Sequence, residues 1–188
     1  MGFGLLFLGY FFMFYFPYKG LDVFPDVAGF VINVFALKKL SEYKLGFDLL
    51  KRLNYVCIAL SSVLLGLQIS GLFGKLGTVL IYFEPLYIAF MFVFNVFLLT
   101  SVYRIAKDTE SLSVAARAQR NLVLTFIYAV IAVFNSLPPS ITGGLLEKLD
   151  RYGYAIGSYI LRCVWLVLNL VLLYSCYMRI VPEGTDDI

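Results

Sequence analysis

A charge inside an apolar run long enough to cross a bilayer is the feature that most constrains this chain. Residues 77–104, GTVLIYFEPLYIAFMFVFNVFLLTSVYR, form such a run, and Glu84 lies within it, followed directly by Pro85. A helix needs about 20 mostly apolar residues to cross the hydrocarbon core. An ionisable side chain there is costly and marks a candidate functional position with a partner to be found. One other charge lies well inside a long apolar run, and it has the opposite sign: Arg162.

Composition agrees with that reading. The 188 residues are 61% apolar and only 14% charged, arranged in runs that suit membrane helices better than a soluble core. The net charge of +3 is small and comes from asymmetric loops, so nucleic acid is not an expected partner. The chain has no histidine, which removes Ser-His-Asp and Cys-His nucleophile systems and His-ligated zinc together. Cys57, Cys163 and Cys176 sit in apolar runs without CxxC spacing and read as small buried hydrophobes. No phosphate loop, metal-ligand cluster, carboxylate pair or nucleophile elbow is present in the sequence, so neither an enzyme nor a cofactor or metal is expected. The N-terminus lacks a basic region and a small-residue cleavage site and reads as a retained span.

The expected fold class is all-α, a polytopic transmembrane helix bundle in a single integral membrane domain over 1–188. Six spans are expected at about 3–18, 22–37, 54–73, 78–103, 121–137 and 154–179, with an interfacial helix at about 40–52. The first two runs are short, so residues 3–37 form either two short spans or a re-entrant hairpin; both return the chain to its starting side. The interfacial helix rests on Leu40, Tyr43, Phe47 and Leu50 recurring at helical spacing. Ser62, Gly66, Ser70 and Gly74 make a small-residue ladder, which predicts close approach of another helix, of the fold or of another subunit. Asp108, Thr109 and Glu110 read as a helix start.

Basic residues set the orientation. Lys38, Lys39, Lys44, Lys51, Arg52, Arg104, Lys107, Arg117, Arg120 and Arg179 fall on one side of the six-span reading, and Lys19, Lys75, Lys148 and Arg151 on the other. The richer side is cytoplasmic by the positive-inside rule, which makes this a multi-pass cell-membrane protein with both termini inside.

Helical rise places the polar groups by depth. Counted from the basic ring, Asn95 and Asn169 lie at about 14–15 Å, while Gln68 and Arg162 lie at about 23–26 Å and Glu84 near 30 Å. Asp26 comes out at about 18 Å and Asp22 at about 24 Å. Glu84 and Asn95 share a helix face with Tyr87 and Met91; Arg162 and Asn169 share one with Trp165. Facing stripes would bring Glu84 or a loop acid to Arg162. Three uses of that seam stay open: a structural Arg–acid pair, snorkelling to the headgroups, or a ligand site. The candidate ligand-binding residues are Arg162, Glu84, Asn95, Asn169, Gln68, Trp165, Asp22 and Asp26.

The opening segment, with LGY in an aromatic first helix, FPD-x-x-G and L-K-K-L-S, resembles small uncharacterised membrane proteins of Gram-positive bacteria. That likeness covers the first ~50 residues and implies no activity. In size, span number, inward termini and outer-half polar cluster the chain is also similar to the substrate-capture subunits of energy-coupling-factor vitamin transporters. The Ala-x-x-x-Ala pattern of their first helix is missing here, which speaks against docking to that transporter. The resulting expectation is a solute- or ion-binding membrane protein, a transporter or its capture subunit. The alternative is a non-catalytic structural or regulatory subunit in which Glu84 and Arg162 only fix helix packing. Expected partners are the lipid bilayer, other membrane subunits and a small-molecule ligand of open identity.

Overall fold

A computed structural model describes residues 2–13, 17–18, 21–22, 25–43, 46–72, 77–137 and 151–180. They form six helices: α1 (Gly2–Phe11), α2 (Asp26–Leu40), α3 (Phe47–Leu72), α4 (Gly77–Asp108), α5 (Leu112–Ser136) and α6 (Arg151–Arg179). The only strands among the described residues are a minimal antiparallel ladder, β1 (Pro17–Tyr18) with β2 (Leu21–Asp22), pairing Pro17 with Asp22 and Tyr18 with Leu21.

Four helices are long and apolar enough to cross a membrane: Phe47–Ser70, Tyr82–Asp108, Leu112–Ser136 and Ile156–Arg179. The first two helices are not. α1 has 10 residues and α2 has 15, so they rise only about 15 and 22 Å against a hydrocarbon core of about 30 Å. This differs from the expected spans at 3–18 and 22–37, and for α2 proline supplies the reason. Pro25 stands at the N-cap of α2 in an extended conformation (φ −63°, ψ 128°), so the helix begins at Asp26. Pro17 lies in β1, beyond the end of α1. Proline lacks the N–H that would carry a helix through position 25, whereas α1 has already closed at Phe11, with the Phe12 N–H on the Gly9 carbonyl at 3.2 Å and the Met13 N–H on the Tyr10 carbonyl at 3.0 Å.

The expected interfacial helix at 40–52 is also corrected. The chain breaks at Gly46, whose φ of +93° suits only a residue without a Cβ, and Phe47 already begins α3. Leu40, Phe47 and Leu50 are buried in the protein core, not turned to lipid, while Tyr43 is exposed. The apolar stripe was packing surface between helices.

The helices close a ring in chain order, with α1 packed against α2 and so on round to α6, which returns to α1. Lys38, Lys39, Arg52, Arg104, Lys107 and Arg179 all sit toward one end of it, the basic end. The α1–α2 hairpin fills the ring at that end. Gly9 and Gly29 let the two helices touch backbone to backbone: a Cβ on Gly29 would stand 2.5 Å from the Gly9 carbonyl. Edge-on ring contacts join Phe3 to Phe47 and Phe30 to Phe94, and Asn54 Nδ2 donates to the Phe30 carbonyl at 2.9 Å.

Burial follows the reach of the hairpin. On α3 the last buried described side chain is Ser61, on α5 it is Ala129, and on α6 burial begins only at Trp165. Past those levels the four long helices continue without a central filler among the described residues. Their outer faces carry exposed apolar side chains, including Val63, Ile69, Val130, Ile156 and Ile160, which a lipid bilayer would cover.

Candidate functional site

Where the hairpin helices stop, a cavity of about 260 Å³ opens at the centre of the ring. Pro25, Asp26 and Val27 from the start of α2 border it, with Met13 from the turn after α1. α3 contributes Ser61 and Gln68, α4 the stripe Glu84, Tyr87, Met91 and Asn95, α5 Thr125 and Tyr128, and α6 Arg162 and Trp165. Helical spacing explains the α4 set: positions 84, 87, 88, 91, 92 and 95 repeat at three and four residues and lie on one face. Pro85 sits inside α4 without ending it. It removes the donor that would otherwise meet the carbonyl of residue 81, beside Glu84.

A second cavity of about 300 Å³ lies between α4, α5 and α6, further from the basic end, and reaches Asn135 and Ser158. Glu84, Ile88, Tyr128 and Arg162 border both cavities and so form the partition between them. Glu84 and Arg162 are close enough to interact electrostatically across it.

The lower wall is tied together by hydrogen bonds. The Tyr87 hydroxyl donates to Asp26 Oδ2 at 2.5 Å, joining α4 to the start of α2. Trp165 Nε1 donates to Thr125 Oγ1 at 2.8 Å, and the Thr125 hydroxyl donates to the Asn121 carbonyl at 2.8 Å. Tyr128 stacks on Trp165 with ring centroids 4.6 Å apart and planes 17° from parallel. Asn95 Nδ2 donates to the Met91 carbonyl at 2.7 Å, while its Oδ1, in a side chain that is 1% exposed, has no hydrogen-bond partner.

Six of the eight residues singled out from the sequence border this cavity: Arg162, Glu84, Asn95, Gln68, Trp165 and Asp26. Asn169 does not. It is buried beside α5, where its Oδ1 accepts from Asn121 Nδ2 at 3.0 Å, so it serves helix packing. The backbone of Asp22 belongs to β2, not to a helix, and its side chain lies outside the described residues. Sequence reasoning left Tyr87, Ser61, Thr125 and Tyr128 out of the site. Tyr87 was findable from the stripe it shares with Glu84 and Asn95. The other three carry hydroxyls in apolar runs, a pattern too common to single them out.

Comparison of the chain with protein-family models, curated proteins and solved structures finds no match.

Proposed function

We propose that the protein binds a small solute in the central cavity, as a transporter or as the capture subunit of one, and that it does so without catalysis. The observation that carries this reading is the cavity itself: about 260 Å³, bordered by five helices, with Asp26, Glu84 and Arg162 on its lining. Packed membrane bundles place ionisable residues toward interior cavities when those cavities handle solutes or ions. The positive-inside rule puts the basic end in the cytoplasm and the cavity in the outer half of the cell membrane. In this reading four helices cross fully, and the α1–α2 hairpin enters from the cytoplasmic side as a plug. Because the hairpin returns to its own side, both termini stay cytoplasmic.

A second reading is favoured by the bonds that use polar groups as helix glue, Asn121 to Asn169 and Trp165 to Thr125. It makes the protein a structural or regulatory subunit. The test is thermal unfolding of the purified full-length protein against a metabolite panel. Solute binding predicts that at least one compound raises the unfolding temperature of the native protein and fails to do so with Arg162→Ala. A panel without effect, together with strong coupling of Glu84→Ala and Arg162→Ala in a stability double-mutant cycle, would replace it with the structural reading.

A further inference from the structure

The floor of the cavity is built of hydrogen-bond acceptors, and the geometry points to a small zwitterionic solute that lowers an ammonium group onto this floor while its carboxylate meets Arg162. This rests on the solute-binding reading and names the chemistry of its ligand.

The inference follows from where the hydrogens of Ser61, Thr125, Trp165 and Tyr87 are spent. The Ser61 hydroxyl donates to the Ile58 carbonyl at 3.1 Å, and the Thr125 hydroxyl to the Asn121 carbonyl at 2.8 Å. The indole N–H of Trp165 is spent on Thr125 and the Tyr87 hydroxyl on Asp26. A hydroxyl has one hydrogen and two lone pairs, so Ser61 and Thr125 can offer a solute only acceptor capacity. Asn95 adds an amide oxygen that has no partner although the residue is 99% buried (1% exposed). A buried acceptor left unmet costs its full desolvation, and a donor brought by the solute would remove that cost.

Charge points the same way. Among the described residues the cavity is bordered by two acids, Asp26 and Glu84, and one base, Arg162. The stacked Tyr128 and Trp165 rings border the same space. The opposite pole is Arg162, three residues from Trp165 along α6. Its guanidinium has five donors, enough to serve an acid of the wall and a solute carboxylate together. The volume of about 260 Å³ lies below the range of about 300–1,000 Å³ typical for drug-sized ligands, which favours a solute the size of an amino acid.

The experiment measures thermal unfolding of the full-length protein in detergent with matched probes. L-Phenylalanine, phenethylamine and 3-phenylpropionate share a phenyl group; L-leucine, isopentylamine and 4-methylvalerate share an isobutyl group; sodium chloride serves as the bare cation. The expected order within a set is zwitterion first, amine second, carboxylate without effect. Asn95→Leu should weaken binding of the zwitterion about tenfold, while Asn95→Asp, which keeps an acceptor, should retain it. If Asn95→Leu does not fold, Ser61→Ala should show the same selective loss. A carboxylate probe that stabilises as well as its zwitterion, or sodium alone doing so, overturns the ammonium assignment. If that carboxylate effect disappears with Arg162→Ala, solute binding itself survives. No shift with any probe, extended to a wider panel of amino acids, polyamines and carboxylates, overturns both.

Discussion

At the scale of single residues, the bundle depends on a few polar side chains that each join two helices. Tyr87 and Asp26 are 61 residues apart and meet at 2.5 Å, holding the start of α2 against α4. A hydrogen bond to a charged acceptor contributes about 1.5–3 kcal/mol. Tyr87→Phe should therefore destabilise the protein by that amount in equilibrium unfolding in detergent, and an unchanged midpoint would deny the bond this role. Asn121 donates both to the Leu168 carbonyl at 2.9 Å and to Asn169 Oδ1 at 3.0 Å. Interhelical bonds of this type are worth about 0.5–2 kcal/mol. Asn121→Leu should lose stability on that scale without changing solute affinity, since neither asparagine borders the cavity. That Arg162, Glu84 and Asn95 share one cavity was legible from the sequence because charges and amides are rare in apolar runs and their helical spacing is readable. The partner of Asn169 was not legible. Asn121 sits directly after Arg120, in a stretch that reads as a polar helix end, although its side chain is buried.

At the scale of elements, the four long helices follow directly from length and apolarity, whereas the joints between elements do not. Asp108, Thr109 and Glu110 suggested a helix start, yet α4 runs through Asp108 and Glu110 closes it in the left-handed region at φ 55°. Ser111 N–H donates to the Ala106 carbonyl at 2.8 Å and Glu110 N–H to the Lys107 carbonyl at 3.2 Å, the pair of bonds that ends helices around a left-handed residue. That position usually carries glycine, so acidic composition outweighed the geometry in the sequence reading. Glu110→Gly should stabilise the protein by about 1 kcal/mol, read as a raised unfolding temperature. The small-residue ladder does not serve packing within the fold over its described part: Ser62 and Gly66 are exposed, and a Cβ on Gly66 would meet nothing within 4 Å, while Gly74 lies outside the described residues. The glycines that do permit close approach are Gly9 and Gly29, twenty residues apart on different helices, which no single-helix periodicity reveals. Gly9→Val would drive a side chain into Asn33 and the Gly29 carbonyl. It should destabilise by about 1–3 kcal/mol or more, while Gly66→Ala is tolerated; comparable losses in both variants would contradict the hairpin packing.

At the scale of the molecule, a six-part ring is filled at one end and hollow toward the other because two of its helices are short. Hydropathy registers that shortness only as ambiguity between two spans and a hairpin; Pro25 becomes decisive once α2 is seen to start at Asp26. The cavity is thus a consequence of helix length, and its lining a consequence of which faces the four long helices turn inward. The most direct measurement is thiol accessibility of Gln68→Cys on the cavity wall, in a background where Cys57, Cys163 and Cys176 are replaced. A membrane-impermeant cationic methanethiosulfonate is applied to right-side-out and to inside-out vesicles. With the basic end cytoplasmic, as proposed, labelling is expected from the outer face and protection from the cytoplasmic face, where the hairpin closes the ring. Labelling from the cytoplasmic face, or from neither, would contradict this arrangement.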